Sequence, residues 1–333
     1  MNIGVIGAGS WGTTLADLLA RKGHAVSLWA YEADLVERMA RTRENDLFLP
    51  GVTLAPALAF TNDLREAVTG RDLLLLVPPS QVMRALMQRA AAHIAPDTLV
   101  VSAAKGIEIE TLRTMSEVLE ETLPQAVHDR LCYLSGPSFA REVAAGMPTA
   151  VVAASRDPAV ARRVQEAMST EYFRIYTNTD VLGVELGGAL KNVIALAAGV
   201  ADGLGFGYNS RAALITRGLA EMTRLGLAKG AQAATFAGLA GMGDLVLTCT
   251  GDLSRNRSVG IELGRGRKLK DILAGMKMVA EGVQTSLSTY RLARKLGVEV
   301  PITEQMYRIL YEDKDPRRAV IDLMARDLKS EGI

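Results

Sequence analysis

The feature that most constrains this chain is a glycine-rich segment near its start, Gly7-Ala8-Gly9-Ser10-Trp11-Gly12. It follows an apolar run at residues 3–6, opens a helical pattern, and is followed by a second apolar run at residues 25–29. In this context Gly7 permits a tight turn, Gly9 lets the backbone approach a ligand, and Gly12 lets the helix pack on the strand. A helix N-terminus also offers free N–H groups to an anion. The pattern predicts a βαβ unit that binds the diphosphate of a dinucleotide.

The end of the second predicted strand bears on which dinucleotide binds. Glu32 stands where an acidic side chain accepts hydrogen bonds from a ribose, and Tyr31 beside it could stack on adenine. Neither position holds an arginine for a 2′-phosphate, which favours NAD over NADP. Arg38, Arg41 or Arg43 of the next helix could still reach such a phosphate, so the choice between NAD and NADP stays open.

Length, charge and cysteine usage exclude several classes of protein. The 333 residues exceed one ordinary core, so two domains are expected. A net charge of +1 without a long basic block argues against a nucleic-acid partner. The two isolated cysteines, Cys132 and Cys249, have neither metal-ligand nor disulfide spacing, so no metal is expected. The N-terminus has no signal-peptide pattern, and we expect a cytoplasmic protein.

Short apolar runs alternate with amphipathic segments through the first half of the chain. Strands are predicted at residues 3–6, 25–29, 73–77, 99–102, 132–134, 150–154 and 172–176. Helices are predicted at residues 11–22, 33–41, 81–92, 111–121 and 158–168. Continuous apolar strands that alternate with helices indicate an α/β fold with a doubly wound, mostly parallel sheet covered on both faces.

Polar segments follow several of these strands. Ligands of an open parallel sheet bind outside the carboxyl ends of its strands. Lys105 and the segment Leu134-Ser135-Gly136-Pro137-Ser138 both lie at such ends. Lys105 is therefore placed to contact a ligand that binds beyond the nicotinamide of the dinucleotide. The alternative is a loop lysine that is only solvated.

After residue 179 the strand-like runs stop and the chain reads as helices. We expect a dinucleotide-binding domain at residues 1–179 and an all-helical domain for substrate binding and catalysis at residues 180–333, with a ligand cleft between them. The run at residues 183–201 is apolar, but it contains Glu185, Lys191 and Asn192, which are costly in lipid. We expect a buried helix there and no membrane insertion.

Lys191 is the first catalytic candidate. It lies among large apolar residues, and Gly187, Gly188 and Ala195, three or four residues away, share its helix face. These small residues would leave a trough for a substrate, in which desolvation would lower the pKa of Lys191 towards the range useful for proton transfer. The alternative is a lysine that snorkels to the surface.

A second candidate site combines Gly241-Met242-Gly243-Asp244 with Ser254-Arg255-Asn256-Arg257. Ser254 is predicted to be the N-cap of a helix that begins at Arg255. Two arginines in a first helical turn oppose the helix dipole, and a bound phosphate would relieve that conflict. The alternative is an exposed turn with hydrated arginines.

Short segments across nearly the whole chain form an ordered set: Val5-Ile6-Gly7-Ala8-Gly9-Ser10-Trp11-Gly12-Thr13, Phe48-Leu49-Pro50, Lys105-Gly106-Ile107-Glu108, Leu134-Ser135-Gly136-Pro137-Ser138-Phe139-Ala140, Glu185-Leu186-Gly187-Gly188-Ala189-Leu190-Lys191-Asn192, Gly241-Met242-Gly243-Asp244-Leu245, Ser254-Arg255-Asn256 and Ala280-Glu281-Gly282. In this order they resemble the bacterial NAD(P)-dependent glycerol-3-phosphate dehydrogenases. The resemblance implies a Rossmann-type domain followed by an all-α domain of the 6-phosphogluconate-dehydrogenase-like type. It also implies a homodimer that reversibly reduces dihydroxyacetone phosphate to sn-glycerol 3-phosphate for phospholipid synthesis.

Residue roles carry over position by position. The resemblance implies that Lys191 is the catalytic proton donor and acceptor. It implies substrate contacts at Lys105, Gly136, Ser138, Asp244, Ser254, Arg255 and Asn256. To the cofactor residues already derived, Gly7, Gly9, Gly12, Tyr31 and Glu32, it adds Ser10, Trp11, Lys105, Ala140, Arg255, Val279 and Glu281. Members of the family often carry a basic residue where this chain has Tyr31, so the choice between NADH and NADPH stays open.

Two other functions compete with this interpretation. A 3-hydroxyacid or 6-phosphogluconate type dehydrogenase typically places its lysine four residues before the asparagine, whereas Lys191 and Asn192 are adjacent. A non-catalytic NAD-sensing protein would have no use for a lysine in an apolar trough. Both are therefore disfavoured.

Overall fold

The computed structural model describes residues 1–276, 280–328 and 330–331. The predicted cofactor residue Val279 lies outside the described residues. The chain forms two compact units, the first from Met1–Lys105 and Met115–Val181, the second from Gly106–Thr114 and Leu182–Ile333. The second unit thus includes Gly106–Thr114, a segment of the N-terminal half that a single division near residue 180 would assign to the first unit. Ile107, which is fully buried in the core of the second unit, anchors this segment.

The first unit is built on a β-sheet. Its strands, with those of a separate hairpin, are β1 (Asn2–Ile6), β2 (Ala25–Trp29), β3 (Glu44–Asn45), β4 (Leu49–Thr53), β5 (Ala59–Thr61), β6 (Leu73–Leu76), β7 (Leu99–Ser102), β8 (Leu131–Ser135), β9 (Thr149–Ala154) and β10 (Phe173–Asn178). The eight-stranded sheet has the order β10-β9-β8-β7-β6-β1-β2-β5, and β3 pairs with β4. Neighbouring strands of the sheet are parallel except β8 and β9. The predicted doubly wound, mostly parallel sheet is confirmed.

Helices of the first unit fill the connections between strands. They are α1 (Ser10–Arg21), α2 (Ala33–Thr42), α3 (Leu64–Val68), α4 (Met83–Ala90), α5 (Met115–Thr122), α6 (Ala140–Ala144) and α7 (Pro158–Met168). The helix predicted from residue 111 begins only at Met115, because Leu112 adopts φ 58° and Thr114 forms a β-bridge with Ile107. By contrast α7 matches its prediction, since Asp157 caps it through the N–H of Ala159.

The second unit is helical, as predicted. Its helices are α8 (Val181–Gly203), α9 (Tyr208–Lys229), α10 (Ala233–Phe236), α11 (Asp244–Thr250), α12 (Arg255–Gly264), α13 (Leu269–Ala274), α14 (Glu281–Leu296), α15 (Pro301–Tyr311) and α16 (Pro316–Met324). A π-helical turn, Leu239–Gly243, leads directly into α11.

Helices α8 and α12 make direct backbone contact. Each carries two glycines four residues apart at the contact, Gly199 and Gly203 in α8, and Gly260 and Gly264 in α12. A Cβ added at Gly199 would collide with a carbonyl oxygen of α12, and one at Gly260 with a carbonyl oxygen of α8. Residues four apart share a helix face, so the missing side chains form one continuous contact. The glycine and alanine content of α8 therefore serves close helix packing.

Two stretches of the described chain are long and apolar enough to cross a membrane by length and composition alone. They are α8 and Ala233–Thr250, with 94% and 44% of the apolar window buried inside the protein. Because α8 lies within the core of the second unit, its polar residues must find partners inside the protein.

Candidate functional site

The glycine loop forms the turn from β1 into α1. Gly7 adopts a left-handed φ of 114°, and a Cβ there would lie 2.8 Å from the carbonyl oxygen of Val77. A Cβ at Gly12 would collide with the carbonyl oxygen of Gly7. At Gly9 nothing lies within 4 Å of the Cβ position. Gly7 and Gly12 thus have the turn and packing roles expected of them, while Gly9 borders open space.

Backbone donors at the start of α1 suit a diphosphate. No side chain caps this helix, and its first turn contains no acidic residue. The first hydrogen bond from the helix runs from the N–H of Thr13 to the carbonyl of Gly9. The N–H groups that precede Thr13 are the ones an α-helix leaves without an intrahelical acceptor. The loop, with Ser10 and Trp11 in the first turn, therefore fits an anionic group.

The residues considered for the ribose end of the cofactor lie just after β2, and two of the three arginines there are paired with other protein groups. Tyr31 is 78% exposed, and Glu32 is the N-cap residue of α2. Arg38 forms ion pairs with two carboxylates, at 2.5 and 3.1 Å. Arg43 donates to two backbone carbonyls and lies over an aromatic ring. Of the three arginines considered for a 2′-phosphate, only the exposed Arg41 makes no such contact with the described residues.

The carboxyl end of β8 brings three predicted substrate residues together. Gly136 adopts φ 136°, and its carbonyl oxygen accepts hydrogen bonds from Lys105 Nζ and Ser138 Oγ, each at 3.0 Å. Lys105 is half-buried, so it is not a freely solvated loop lysine. Ala140 begins α6, and its carbonyl accepts a hydrogen bond from Thr14 Oγ1 of α1 at 3.2 Å.

Lys191 of α8 ends at a buried carboxylate. Its side chain is 10% exposed, and Nζ donates to Asp244 Oδ1 at 2.6 Å and to Thr248 Oγ1 at 2.9 Å. The Thr248 hydroxyl in turn donates to the carbonyl oxygen of Asp244 at 2.6 Å. Snorkelling to the surface is therefore wrong for this lysine. A buried ammonium is tolerated here because the carboxylate compensates its charge.

The expected trough beside Lys191 is wrong at one of its glycines. A Cβ at Gly187 would collide with the carbonyl oxygen of Ala240 in the π-helical turn. Gly187 therefore serves close packing of α8 against that turn, and the turn leads directly into Asp244. The missing side chain brings the carboxylate to the lysine rather than opening space for a substrate.

A chain of amide groups continues from the residue after Lys191. Asn192 Oδ1 accepts a hydrogen bond from Asn256 Nδ2 at 2.9 Å, and Asn256 Oδ1 accepts one from the N–H of Gly282 at 2.9 Å. These bonds tie α8 and α12 to the start of α14, where Glu281 is the first residue. The sequence analysis assigned no role to Asn192 or Thr248. Two features of the sequence could have indicated them. Asn192 is adjacent to Lys191, and Thr248 lies four residues after Asp244 on the same helix face.

The start of α12 confirms one prediction and corrects another. Ser254 Oγ accepts a hydrogen bond from the N–H of Arg257 at 3.2 Å, and the helix begins at Arg255, so the predicted N-cap is confirmed. Arg257 is not left for a phosphate, because Asp202 and Asp252 pair with it at 2.8 and 2.9 Å. Arg255 is exposed and makes no hydrogen bond or ion pair with the described residues.

The cysteines do not contribute a nucleophile to these clusters. Burial raises the pKa of the Cys249 thiol to about 12, although the charge of Lys191 lowers it. Burial also raises the pKa of Cys132 to about 12. Thiolates are the reactive form, so both side chains are inert near neutral pH. Among the described residues, no group of three His, Cys, Asp or Glu side chains could hold a metal ion.

Known proteins resemble the chain over nearly its full length. Residues 2–161 match the family described as NAD-dependent glycerol-3-phosphate dehydrogenase N-terminus, and residues 180–321 match its C-terminus. The glycerol-3-phosphate dehydrogenase (NAD(P)+) of Syntrophotalea carbinolica is 68% identical over 331 residues, 99% of each chain. That of Geobacter sulfurreducens is 68% identical over 329 residues, 99% of this chain and 98% of the relative.

A solved structure supports the same relationship. The crystal structure of glycerol-3-phosphate dehydrogenase from Coxiella burnetii aligns with a TM-score of 0.93 and 42% sequence identity. The alignment covers 97% of this chain and 98% of the Coxiella chain. The chain belongs to the NAD-dependent glycerol-3-phosphate dehydrogenase family.

Proposed function

We propose that this chain reversibly reduces dihydroxyacetone phosphate to sn-glycerol 3-phosphate with NADH or NADPH. The observation that carries the proposal is the buried cluster of Lys191, Asp244 and Thr248. Such a cluster holds a proton at a defined atom, Lys191 Nζ, inside the core of the helical unit. The names of the relatives state the same activity, and family membership supplies the dependence on NAD(P).

The glycine loop is the proposed site of the cofactor diphosphate. Gly7, Gly9, Ser10, Trp11 and Gly12 would hold it through the backbone donors at the start of α1. Further cofactor contacts are proposed at Tyr31, Glu32, Lys105, Ala140, Arg255 and Glu281. When bound, the reduced nicotinamide supplies the hydride that reduces the ketone carbon.

Lys191 is the proposed proton donor in this direction and the acceptor in reverse. The ketone oxygen gains negative charge during reduction, so an ammonium aimed at it stabilises the transition state. Proton transfer from a positioned side chain contributes about 10²–10⁴-fold in rate. Asp244 and Thr248 hold the lysine Nζ in one place, and this fixes where the proton is delivered.

Substrate binding is proposed for two sets of residues. In the second unit, Arg255 carries an exposed guanidinium beside the N-cap Ser254, a combination suited to a phosphate. Asp244 would accept a hydrogen bond from a substrate hydroxyl, and Asn256 would donate one to a phosphate oxygen. In the first unit, the substrate contacts are proposed at Lys105, Gly136 and Ser138, which the structure brings together.

The wider biological setting is part of the same proposal. We take residues 1–179 as the dinucleotide-binding domain and residues 180–333 as the substrate-binding and catalytic domain. The enzyme would be a cytoplasmic homodimer that supplies sn-glycerol 3-phosphate for phospholipid synthesis. Sedimentation of the purified protein tests the dimer directly.

The test of the proposed reaction is a spectrophotometric assay with dihydroxyacetone phosphate and, in separate experiments, NADH and NADPH. We expect oxidation of at least one cofactor by the parent protein. Lys191→Ala should lower turnover at least about a hundredfold while cofactor affinity stays close to that of the parent. Lys268→Ala, which removes a lysine 69% exposed on the same unit, is the matched control and should not change turnover.

Two results would overturn the proposal. Turnover of 3-hydroxyacids or 6-phosphogluconate without turnover of dihydroxyacetone phosphate would assign the site to another class of dehydrogenase. Ordinary turnover by Lys191→Ala would remove the lysine from the mechanism.

A further inference from the structure

The hairpin of β3 and β4 has no role in the proposed reaction, although the segment Phe48-Leu49-Pro50 stood out in the sequence. At the end of β3 the side chain of Asn45 is fully buried. Its Nδ2 donates to the carbonyl oxygen of Ala8 and to Thr13 Oγ1, each at 2.8 Å. Its Oδ1 accepts a hydrogen bond from the N–H of Phe48 at 2.9 Å. Asn45 therefore links the hairpin to the glycine loop.

Two donors converge on one carbonyl of that loop. The oxygen of Ala8 accepts hydrogen bonds from Asn45 Nδ2 and, at 3.1 Å, from Thr13 Oγ1. The described residues contain no cis peptide bond. In a trans peptide the carbonyl of one residue and the N–H of the next point in opposite directions. Holding the Ala8 oxygen inside the unit therefore turns the N–H of Gly9 away from Asn45.

We propose that Asn45 is a positioning residue for the dinucleotide diphosphate. It fixes the plane of the Ala8–Gly9 peptide, so that the Gly9 N–H is aimed at the ligand before the ligand arrives. Asn45 itself does not touch the ligand. The inference rests on the proposed dinucleotide site at the glycine loop. Donors that are already oriented bind more tightly because no ordering of the loop has to accompany binding.

A purely structural role for Asn45 predicts a different outcome. If the side chain only held the hairpin in place, its loss would lower the thermal stability of the protein and leave the affinity of the folded protein unchanged. If it orients the loop, its loss lowers the affinity for every ligand that uses the diphosphate site. Ligands without a diphosphate would be unaffected in that case.

The experiment compares Asn45→Ala with the parent by calorimetric titration of NADH and of ADP-ribose. We expect the dissociation constants of both to rise by about tenfold, the factor that corresponds to one hydrogen bond. An equal rise for both ligands would show that the lost contact acts on the ADP-ribose part, which they share and which contains the diphosphate. The affinity of adenosine, which has no phosphate, should be the same for the parent and for Asn45→Ala when it is measured by competition. At saturating cofactor, kcat and the KM for dihydroxyacetone phosphate should stay within about twofold of the parent values.

Asn2→Ala is the matched control, because Asn2 Nδ2 also donates to a backbone carbonyl, that of Gly70 at 3.0 Å, at the amino end of β1. It should not change either affinity. Should Asn45→Ala fail to fold, Thr13→Val removes the second donor to the Ala8 carbonyl, and Thr13→Ser retains it. We expect weaker binding of both ligands by the valine variant and recovery in the serine variant.

The outcomes separate the two proposals. A parent protein that binds neither NADH nor ADP-ribose would contradict the proposed function. A parent that binds both, together with folded variants at Asn45 or Thr13 whose affinities are unchanged, would overturn the positioning role alone.

Discussion

Glu221 is a buried carboxylate on α9 that binds the first residues of α15, and its removal should destabilise the helical unit. Its Oε2 accepts a hydrogen bond from the N–H of Ile302 at 2.8 Å. Its Oε1 accepts two, from the N–H and Oγ1 of Thr303, at 2.9 and 2.6 Å. Glu221 is only 3% exposed. The N–H groups of a helix start have no intrahelical acceptor and favour negative charge, so this carboxylate satisfies both needs.

The contacts set the size of the effect. Glu221→Ala leaves three buried donors without an acceptor, and we expect a loss of about 3–5 kcal/mol in the free energy of unfolding. Glu221→Gln can keep the oxygen that accepts the two Thr303 bonds, but it presents an NH₂ group to the N–H of Ile302. We expect that variant to lose about 1–3 kcal/mol.

The same carboxylate predicts a dependence on pH. Burial raises the pKa of Glu221 above its ordinary 4.5, against the hydrogen bonds from Thr303 and Ile302, which lower it. A carboxyl group with a raised folded pKa contributes full stability below its unfolded pKa, and this contribution is lost as pH rises through the folded pKa. Glu221→Gln does not titrate. The stability difference between parent and Glu221→Gln should therefore be largest at and below pH 4.5 and shrink as pH rises above that value.

Urea unfolding and hydrogen exchange test these values together. Exchange of the Ile302 and Thr303 amides reports on the contact itself, and we expect it to accelerate in both variants. Glu304→Gln is the control, since Glu304 of the same helix forms a half-exposed pair with Arg308. That change should cost less than about 0.5 kcal/mol. A Glu221→Ala protein within about 1 kcal/mol of the parent, with unchanged exchange, would refute the reasoning.

Four further predictions follow from other contacts. Thr248→Val removes a hydrogen-bond acceptor of Lys191 and should lower kcat about tenfold, with recovery in Thr248→Ser; full kcat in the valine variant would exclude this role. Gly260→Ala drives a methyl group into a carbonyl of α8 and should cost about 3 kcal/mol in urea unfolding, whereas Gly275→Ala, with 3.6 Å to its nearest neighbour, should cost far less. A thiol reagent should label neither Cys132 nor Cys249 in the native protein at neutral pH, and both after unfolding; rapid native labelling would contradict their burial. Tyr31→Arg supplies a cation at the end of β2 and should raise the affinity for NADPH relative to NADH by about tenfold in direct titration; an unchanged ratio would place the 2′-phosphate elsewhere.

Local sequence patterns predicted most of the first unit. Most strands of its sheet coincide with short apolar runs, and α7 begins where Asp157 and Pro158 predict a helix start. The strands β3, β4 and β5 do not form such apolar runs and were not predicted. Their residues are held by specific contacts, such as the bonds of Asn45 to the glycine loop. A pattern of apolar residues does not contain that information.

Non-local charge pairs account for the errors at the site. The helix dipole alone predicts a phosphate beside Arg257, because the main carboxylate that pairs with it lies far away in the sequence. Its main partner, Asp202, precedes it by 55 residues. In the same way Lys191 lay in an apolar sequence context, yet Asp244, 53 residues later, compensates its charge. Helix periodicity shows which residues share a face, but it does not show which other helix covers that face.

Glycine and a buried polar side chain act together in both units. At the glycine loop, the missing side chain of Gly12 lets α1 pack on the turn, and Asn45 then holds the Ala8 carbonyl. In the helical unit, the missing side chain of Gly187 lets the π-helical turn approach α8, and Asp244 then holds Lys191. In each case a Cβ would separate two backbones, and the polar group would lose its partner without being changed itself. Substitution of either glycine by alanine should therefore impair the nearby site as well as the packing.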